Sequence, residues 1–212
     1  MKMIAEMMKE KTLNYYNTNA EEYFKNTLNA NMRANYSLFE SYLKPGDYIL
    51  DLGCGSGRDT KYFLENGYKV DAIDGSIELC KLASEYTGIN VENKLFSDLD
   101  DYNKYNGIWA CASLLHLTKE EMIYTLNKMV KSIKLKGVIY MSVKYGNEHG
   151  FNGDRYFTNL TEKSFIDDIL SRIYDAEIVE MWTSKDSIDR DIKWLNIVLM
   201  KISDKDVFVK EQ

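Results

Sequence analysis

Apolar residues recur along this chain with two spacings, and the two spacings alternate. Short apolar runs that are typical of buried strands occur at DYILDL, KVDAID, GIWACAS and GVIYMSVKY. Between them lie segments whose apolar residues follow helical spacing, among them GRDTKYFLENG, SIELCKLASEYTG and TKEEMIYTLNKMVKSI. Strands that alternate with helices and are apolar along most of their length indicate a parallel sheet covered on both faces. The pattern therefore predicts an α/β fold.

The two ends of the chain depart from this alternation. NAEEYFKNTLNANMRANYSLFESYL, before the first strand, predicts one or two helices, whereas AEIVEMWTS and WLNIVLMKIS predict two final strands with no helix between them. We expect those strands to pair antiparallel at one sheet edge. Because no repeat or interdomain linker is visible, we expect one structural domain: a helical cap over residues 1–42, a binding domain over 43–203 and a tail over 204–212.

Composition narrows the class of protein. The chain has 212 residues, a formal net charge of -6 and a pI near 5.1, which disfavours a nucleic-acid partner bound by broad electrostatic attraction. Its three cysteines, Cys54, Cys80 and Cys111, form no Cys-x-x-Cys pair, so we expect no metal site and a reducing compartment. No signal-peptide core or membrane-length apolar run appears. We expect a cytoplasmic protein without a membrane partner; the oligomeric state is not predicted.

A glycine-rich turn follows the first predicted strand, where ligands bind in parallel α/β sheets. Gly53, Gly55 and Gly57 lie in it, and Asp51 stands two residues ahead. A dinucleotide fingerprint would need a further glycine at position 58, where this chain has Arg58. A carboxylate at position 51 would repel a pyrophosphate, but it suits a cationic ligand. S-adenosylmethionine (SAM) carries an ammonium and a sulfonium and has no phosphate, so the turn predicts SAM.

A second acidic residue supports the same ligand. Asp74 ends the second predicted strand and is followed by Gly75 and Ser76. Its carboxylate can accept hydrogen bonds from both hydroxyls of a ribose, as in dinucleotide folds. Such bonds to a charged acceptor contribute roughly 1.5–3 kcal/mol each.

A third acidic residue follows the third predicted strand, in LFSDLDD. Asp98 can accept from an adenine amino group, with Phe96 or Leu99 against the ring. We favour Asp98 for this role, with Asp100 or Asp101 as substitutes and an ordinary loop aspartate as the alternative interpretation.

Five segments together resemble the class I SAM-dependent methyltransferases: ILDLGCGSGRD, VDAIDGS, FSDLDD, GIWACASLLHL and GVIYMSVKYG. The resemblance covers roughly residues 10–202 and is closest to a bacterial group labelled tellurite-resistance-like or methyltransferase-domain proteins. It implies a Rossmann-like seven-stranded sheet in the order 3-2-1-4-5-7-6, with the last strand antiparallel. It also implies an N-terminal helical lid over the cofactor and methyl transfer by in-line displacement.

The resemblance and the motifs give a set of expected cofactor contacts. An N-terminal segment, YYNTNAEEYFKNT, resembles the lid of related enzymes, although its aromatic residues can equally pack a helix onto the domain. The full set is Tyr16, Tyr23, Thr27, Asp51, Gly53, Cys54, Gly55, Gly57, Asp74, Gly75, Ser76, Asp98, Leu99 and Ala112.

Other residues are candidates for the chemistry and for the acceptor. His116 lies after the fourth strand, and it can act as a general base or, as we favour, pack and orient groups beside the methyl group. Lys144, Arg155 and Tyr156 can bind an anionic or polar substrate, or belong to a solvated loop.

The acceptor class is argued from absences in the sequence. Where nucleic-acid amino-methyltransferases have an Asn/Asp-Pro-Pro-aromatic motif, this chain has ASLL, and carboxylates for a catechol-type metal are missing there too. Both enzyme groups are thus disfavoured, and the net acidity together with the lack of an added recognition domain favours a small-molecule acceptor. A SAM-binding sensor or scaffold without turnover, and a methyltransferase acting on protein or RNA, remain open alternatives. A nicotinamide oxidoreductase is disfavoured by the turn.

Overall fold

The computed structural model describes residues 2–188 and 190–204, with side chains from residue 6 onward. Residues 205–212 of the predicted tail lie outside the described residues. The division of the chain at residue 42 stays a prediction.

In the described part of the chain, nine strands form one large sheet and one hairpin. Their bounds are β1 Tyr48–Leu52, β2 Lys69–Asp74, β3 Glu92–Asn93, β4 Tyr105–Ala110, β5 Ile133–Lys144, β6 His149–Asn152, β7 Arg155–Thr158, β8 Ala176–Lys185 and β9 Lys193–Lys201. The sheet order is β3-β2-β1-β4-β5-β9-β8, and β9 runs antiparallel to the other six strands. The predicted order 3-2-1-4-5-7-6 is therefore confirmed, because β8 and β9 are its sixth and seventh strands.

Helices cover both faces of the sheet. They are α1 Lys2–Thr18, α2 Ala20–Thr27, α3 Arg33–Glu40, α4 Arg58–Glu65, α5 Ile77–Thr87, α6 Lys119–Ser132 and α7 Glu162–Ser164. A π-helical turn, Phe165–Ile169, and a 3-10 turn, Leu170–Arg172, continue α7. Within the described residues, no helix is both long and apolar enough to cross a membrane.

Local sequence fixes where several helices begin. The Thr118 hydroxyl accepts a hydrogen bond from the backbone N–H of Glu121, and the Glu121 carboxylate accepts one from the backbone N–H of Thr118, which is a reciprocal capping box at the start of α6. Ser76 caps α5 by accepting from the N–H of Leu79. These two caps fix the ends of the loops that follow β4 and β2.

Aromatic packing attaches the N-terminal helices to the sheet. Tyr36 and Phe39 of α3 are buried against Trp109 of β4 and Phe63 of α4, with ring centroids 5.2–5.7 Å apart. Aromatic side chains bury large apolar areas, so this cluster fixes α3 firmly on one sheet face. The helices ahead of β1 are therefore part of the same folded unit as the sheet.

The segment after β5 contains a hairpin where the sequence predicted only a loop. β6 and β7 pair antiparallel around Gly153 and Asp154, and Gly153 has a φ of 61°. A glycine with positive φ at the first position of a two-residue connection is typical of tight hairpins. The backbone N–H of Tyr156 donates to the Thr12 hydroxyl (3.1 Å), which holds the hairpin against α1.

Candidate functional site

Two cavities open at the carboxyl ends of the central strands. Cavity A lies between α1, the ends of β1 and β2 and the start of α6; its wall includes Leu13, Asp74, Gly75, Leu95, Phe96, Ser113 and Glu121. Cavity B, of about 400 Å³, extends toward β5, the hairpin and the β8–β9 connection; its wall includes Thr27, Cys54, Arg58, Lys144, Arg155, Phe157, Arg190 and Trp194.

Five residues line both cavities and so mark where the cavities meet. They are Tyr16, Tyr23, Gly53, Ala112 and His116. All five were expected to lie in the site, and the structure brings them together from α1, α2, the β1–α4 turn and the segment after β4. We refer to this set as the junction.

The glycine turn needs its glycines for two different reasons. Gly53 and Gly55 have φ values of 78° and 55°, which side chains rarely adopt. A Cβ on Gly53 would lie 2.5 Å from the Ser113 Cβ, and one on Gly55 would lie 3.1 Å from a ring carbon of Tyr23. Glycine at these positions lets the side chains of Ser113 and Tyr23 approach the turn.

Gly57 has a packing role that the cofactor interpretation did not include. It precedes α4 with a φ of 73°, and a Cβ there would lie 2.8 Å from the Thr87 methyl carbon of α5. Gly57 is absent from both cavity walls. Its glycine is therefore explained by the contact between α4 and α5, and a cofactor contact stays a prediction.

Asp74 lies in the wall of cavity A with both carboxylate oxygens positioned. Oδ2 accepts from the N–H of Gly55 (2.9 Å), and Oδ1 accepts from the N–H of Ser76 (2.8 Å). Burial raises the pKa of the Asp74 carboxyl, and these two N–H groups oppose the rise. Gly75 lines the same cavity, whereas the Ser76 hydroxyl donates to Asn17 and caps α5.

Asp51 is placed differently from our expectation. Its side chain is buried behind the turn, outside both cavity walls, and Oδ2 accepts from the Thr60 hydroxyl (2.6 Å). Burial, followed by the nearby charge of Asp59, raises the pKa of the Asp51 carboxyl to about 8. Burial therefore works against the charged form of this carboxyl, and the contact of Asp51 with a cationic ligand stays a prediction.

The predicted adenine contacts lie only partly in the wall of cavity A. Asp98 is exposed and accepts from the backbone N–H of Leu95 (3.1 Å), and Leu99 is buried in the main core. Neither residue lines cavity A, but Leu95 and Phe96 do. Of the two side chains expected against the adenine ring, Phe96 therefore lines the cavity and Leu99 does not, and the adenine contact of Asp98 stays a prediction.

The N-terminal aromatic residues cover the junction. The Tyr16 ring packs edge-on against Tyr23 (5.1 Å between centroids) and against His116 (5.4 Å). Burial raises the pKa of both phenols, so their hydroxyls stay protonated. Thr27 lies farther along α2, where its hydroxyl donates to Ser56 (3.1 Å). The lid expected from the resemblance therefore lies over the site.

His116 has both ring nitrogens engaged. Nδ1 donates to the backbone carbonyl of Tyr156 and Nε2 accepts from the Tyr16 hydroxyl, each at 2.7 Å. A carbonyl only accepts, so the proton resides on Nδ1. Burial lowers the pKa of His116 to about 4, and the positive charges of Arg155 and Lys144 also lower it. The imidazole is therefore neutral at pH 7 and ordered by two hydrogen bonds.

The three predicted substrate residues divide between the cavities. Lys144 and Arg155 line cavity B, whereas Tyr156 lines cavity A with a mostly buried side chain. The Lys144 Nζ lies 3.6 Å from the centroid of the Phe157 ring. Among the described residues, no group of three or more His, Cys, Asp or Glu side chains is arranged to hold a metal ion.

Comparison with known proteins agrees with this architecture. The crystal structure of Burkholderia thailandensis 1,6-didemethyltoxoflavin-N1-methyltransferase with bound 1,6-didemethyltoxoflavin and S-adenosylhomocysteine shares the fold, with a TM-score of 0.68 at 21% identity over 81% of this chain and 78% of that chain. Residues 49–137 match the family model described as a methyltransferase domain. The solved structure shows a shared fold, and residues 49–137 are similar to a methyltransferase domain.

Curated relatives of this chain are distant. An uncharacterized protein of Methanocaldococcus jannaschii is 29% identical over 65% of this chain and 43% of its own length. Alpha N-terminal protein methyltransferase 1 of Caenorhabditis elegans is 29% identical over 61% of each chain. The alignment thus spans less than two thirds of either relative.

Two features of this site had no sequence signal. Ala112 has a φ of 52°, a conformation that costs free energy for a residue with a side chain, and its N–H donates to the Ser142 hydroxyl. The Ser113 hydroxyl is buried in the wall of cavity A without a hydrogen-bond partner within the described part of the chain. An unpartnered buried hydroxyl at a cavity wall is a candidate ligand contact.

The protonation of His116 gives a pH prediction. The pKa of a free histidine is near 6.5, so the folded value of about 4 means that folding keeps this imidazole neutral. Its contribution to stability is fully present above pH 6.5 and is lost as the pH falls toward 4. In ¹⁵N NMR, we expect the neutral Nδ1–H form of His116 at pH 5.5. Across this window the free energy of unfolding of wild type falls more than that of His116→Asn, by up to about 3 kcal/mol.

His149 in the exposed hairpin gives the second histidine signal, and the His149→Asn variant assigns it. A His116 signal that titrates between pH 6 and 7 would contradict the described hydrogen bonds.

Proposed function

We propose that this protein is a SAM-dependent methyltransferase that acts on a small-molecule acceptor. One observation carries the proposal: cavity A, with the positioned Asp74 carboxylate, meets a second cavity at the aromatic junction. The transfer of a group between two substrates needs two binding spaces that meet at one place. The sheet order and the methyltransferase-domain match support the same activity.

The residues of cavity A fit the nucleoside part of SAM. Each oxygen of Asp74 already accepts one backbone N–H, and a carboxylate oxygen can accept a further bond, so both can receive a ribose hydroxyl. Leu95 and Phe96 offer an apolar surface for adenine. The unpaired Ser113 hydroxyl supplies one more polar contact in the same wall.

The junction fits the reacting end. When bound, SAM supplies a methyl group on a sulfonium that departs as a neutral thioether. Tyr16 and Tyr23 cover this point, exclude water and present aromatic ring surfaces that suit a positive charge. Holding two reactants aligned in a dry site is a large part of such catalysis.

We propose that His116 orients the Tyr16 ring within the junction. Its Nε2 accepts a hydrogen bond from the Tyr16 hydroxyl, and its Nδ1–H donates one to the Tyr156 carbonyl. With a pKa near 4 the imidazole is a weak base, which makes proton removal from an acceptor a poorer role for it than fixing the Tyr16 ring.

A small-molecule acceptor is favoured by the shape of cavity B. Its wall comes from α2, the residues before α3, the ends of β4 and β5, the hairpin and the β8–β9 connection, which surround a space of about 400 Å³. A space of this size, walled from many elements, suits a small ligand. The likeness to the tellurite-resistance-like group stays a prediction and does not enter this choice.

A protein acceptor is the second candidate. Two curated relatives, from Caenorhabditis elegans and Xenopus tropicalis, are named as protein N-terminal methyltransferases. An RNA acceptor and a SAM-binding sensor without turnover have no comparable support.

Ligand binding tests the proposal. We expect SAM and S-adenosylhomocysteine to bind saturably in calorimetry, with NAD as the control ligand that does not bind. At a hundredfold excess over Kd, binding adds about 2.7 kcal/mol and raises Tm by roughly 5–10 °C. NAD binding without SAM binding would contradict the proposal. Labelled methyl from SAM is then followed into small-molecule and protein fractions. Labelled methyl in the protein fraction favours a protein acceptor. SAM binding with no methyl transfer to any acceptor favours a sensor.

A further inference from the structure

Two positively charged side chains lie together in the wall of cavity B. Lys144 ends β5 and Arg155 begins β7. Both pack on Phe157: the Lys144 Nζ lies 3.6 Å and the Arg155 guanidinium carbon 5.3 Å from that ring centroid. Arg155 also lies 5.9 Å from the centroid of the Tyr16 ring, which places the pair directly beside the junction.

The described residues give this pair no acidic partner. Within residues 2–188 and 190–204, no ion pair joins either Lys144 or Arg155 to a carboxylate, whereas Arg190 in the same cavity pairs with Asp186 at 2.7 Å. The Asp186 carboxylate also accepts from the Trp194 ring N–H. The Asp186 carboxylate, whose charge acts on Lys144, is thus already engaged by other groups.

Two like charges in a half-buried wall repel one another. Burial and the charge of Arg155 lower the pKa of Lys144, which shows that the protein destabilises the ammonium there. A bound anion between the two side chains would remove that repulsion and gain charge-assisted hydrogen bonds. The arrangement is therefore one that an anionic ligand completes.

The sheet order indicates which ligand brings the anion. Asp74 lies at the end of β2, the glycine turn at the end of β1, Ala112 after β4 and Lys144 at the end of β5. Neighbouring strands are about 4.8 Å apart, so Lys144 lies two strands, roughly 10 Å, beyond the glycine turn. Cavity A would hold the nucleoside, and Lys144 and Arg155 lie across the junction from it in cavity B. Their charges would therefore face the acceptor. Arg58 lines the same cavity directly after the glycine turn, so it would be the nearer cation for a carboxylate of a cofactor bound at the turn.

Resting on the proposed function, we infer that the methyl acceptor carries a carboxylate-like anionic group, and that Lys144 and Arg155 hold this group. The anion anchors the acceptor in cavity B and leaves another atom of it to face the junction. The acceptor class is thus narrowed from any small molecule to a small organic anion.

Calorimetry with a matched pair of probes tests this inference. Benzoate and the neutral benzamide are titrated separately into the protein, with and without saturating S-adenosylhomocysteine. We expect benzoate to bind at least about tenfold more tightly than benzamide. Lys144→Gln and Arg155→Gln should each remove most of that difference and leave benzamide binding unchanged. Lys193→Gln, an exposed β9 lysine outside both cavities, is the charge-matched control and should change neither.

The cofactor is the rival source of a carboxylate. S-Adenosylhomocysteine and methylthioadenosine, which lacks the amino-acid carboxylate, separate the two. If Lys144→Gln weakens binding of the first about tenfold and spares the second, the pair holds the cofactor and the inference is overturned. Equal affinity of benzoate and benzamide in wild type also overturns it. Benzoate preference that Lys144→Gln removes, in a protein that binds no S-adenosylhomocysteine, keeps the anion site and rejects the methyl transfer.

Discussion

Replacing Asp74 with alanine is expected to weaken S-adenosylhomocysteine binding by about a hundredfold. The carboxylate lies in cavity A with one lone pair per oxygen engaged by the N–H groups of Gly55 and Ser76. Two ribose hydroxyls would each lose a hydrogen bond to a charged acceptor, worth roughly 1.5–3 kcal/mol apiece. Calorimetric titration of the variant measures the loss.

The same aspartate also shapes the glycine turn, so a second variant separates the two effects. Asp74→Asn keeps the shape and one acceptor oxygen, and we expect a loss between those of wild type and Asp74→Ala. Asp98→Asn is the control, because Asp98 is exposed and lies outside the cavity wall. A hundredfold loss for Asp98→Asn with no loss for Asp74→Ala would reverse our assignment of the two acids.

The order of the strands was predictable because its physical causes are local. Apolar runs specify β1, β4 and β5 as strands buried on both faces, and the missing helix between β8 and β9 specifies an antiparallel edge. The hairpin β6–β7 was not predicted, because short strands that leave the main sheet give too few alternating positions to distinguish from a loop. Its stability comes from contacts with α1, which no local pattern shows.

In the site, the positions of residues at strand ends were predicted better than the ionisation of acidic side chains. The positions of Asp74, Ala112 and His116 follow from the carboxyl ends of their strands. The role of Asp51 does not, because its ionisation depends on burial and on Asp59, a neighbour from the next helix. The unpaired Ser113 hydroxyl depends on how the segment after β4 packs on the turn. Strand direction is encoded locally, whereas desolvation is a property of the assembled fold.

Behind the glycine turn lies a buried polar cluster that connects the site to the helices. The Asp59 carboxylate accepts from the Arg58 guanidinium, from the Trp109 ring N–H (2.8 Å) and from the Tyr36 hydroxyl. Arg58 holds the pKa of Asp59 below its ordinary value despite burial. The Arg58 guanidinium also donates to the Thr27 carbonyl at the end of α2 (3.3 Å). One carboxylate thereby fastens α3, α4 and β4 together, and through Arg58 the end of α2 that borders cavity B.

Asp59→Ala is therefore expected to be among the most destabilising single changes in the chain. It leaves the Arg58 charge buried without an acidic partner, and breaking a buried ion pair costs about 3–5 kcal/mol. Urea unfolding followed by tryptophan fluorescence measures the loss. Asp59→Asn keeps two acceptor bonds and should remain folded if the alanine variant does not. Asp154→Ala breaks the exposed pair with Lys11 and serves as the control, with an expected cost below about 1 kcal/mol. If Asp59→Ala and Asp154→Ala lose equal stability, the cluster does not fasten the site to the helices.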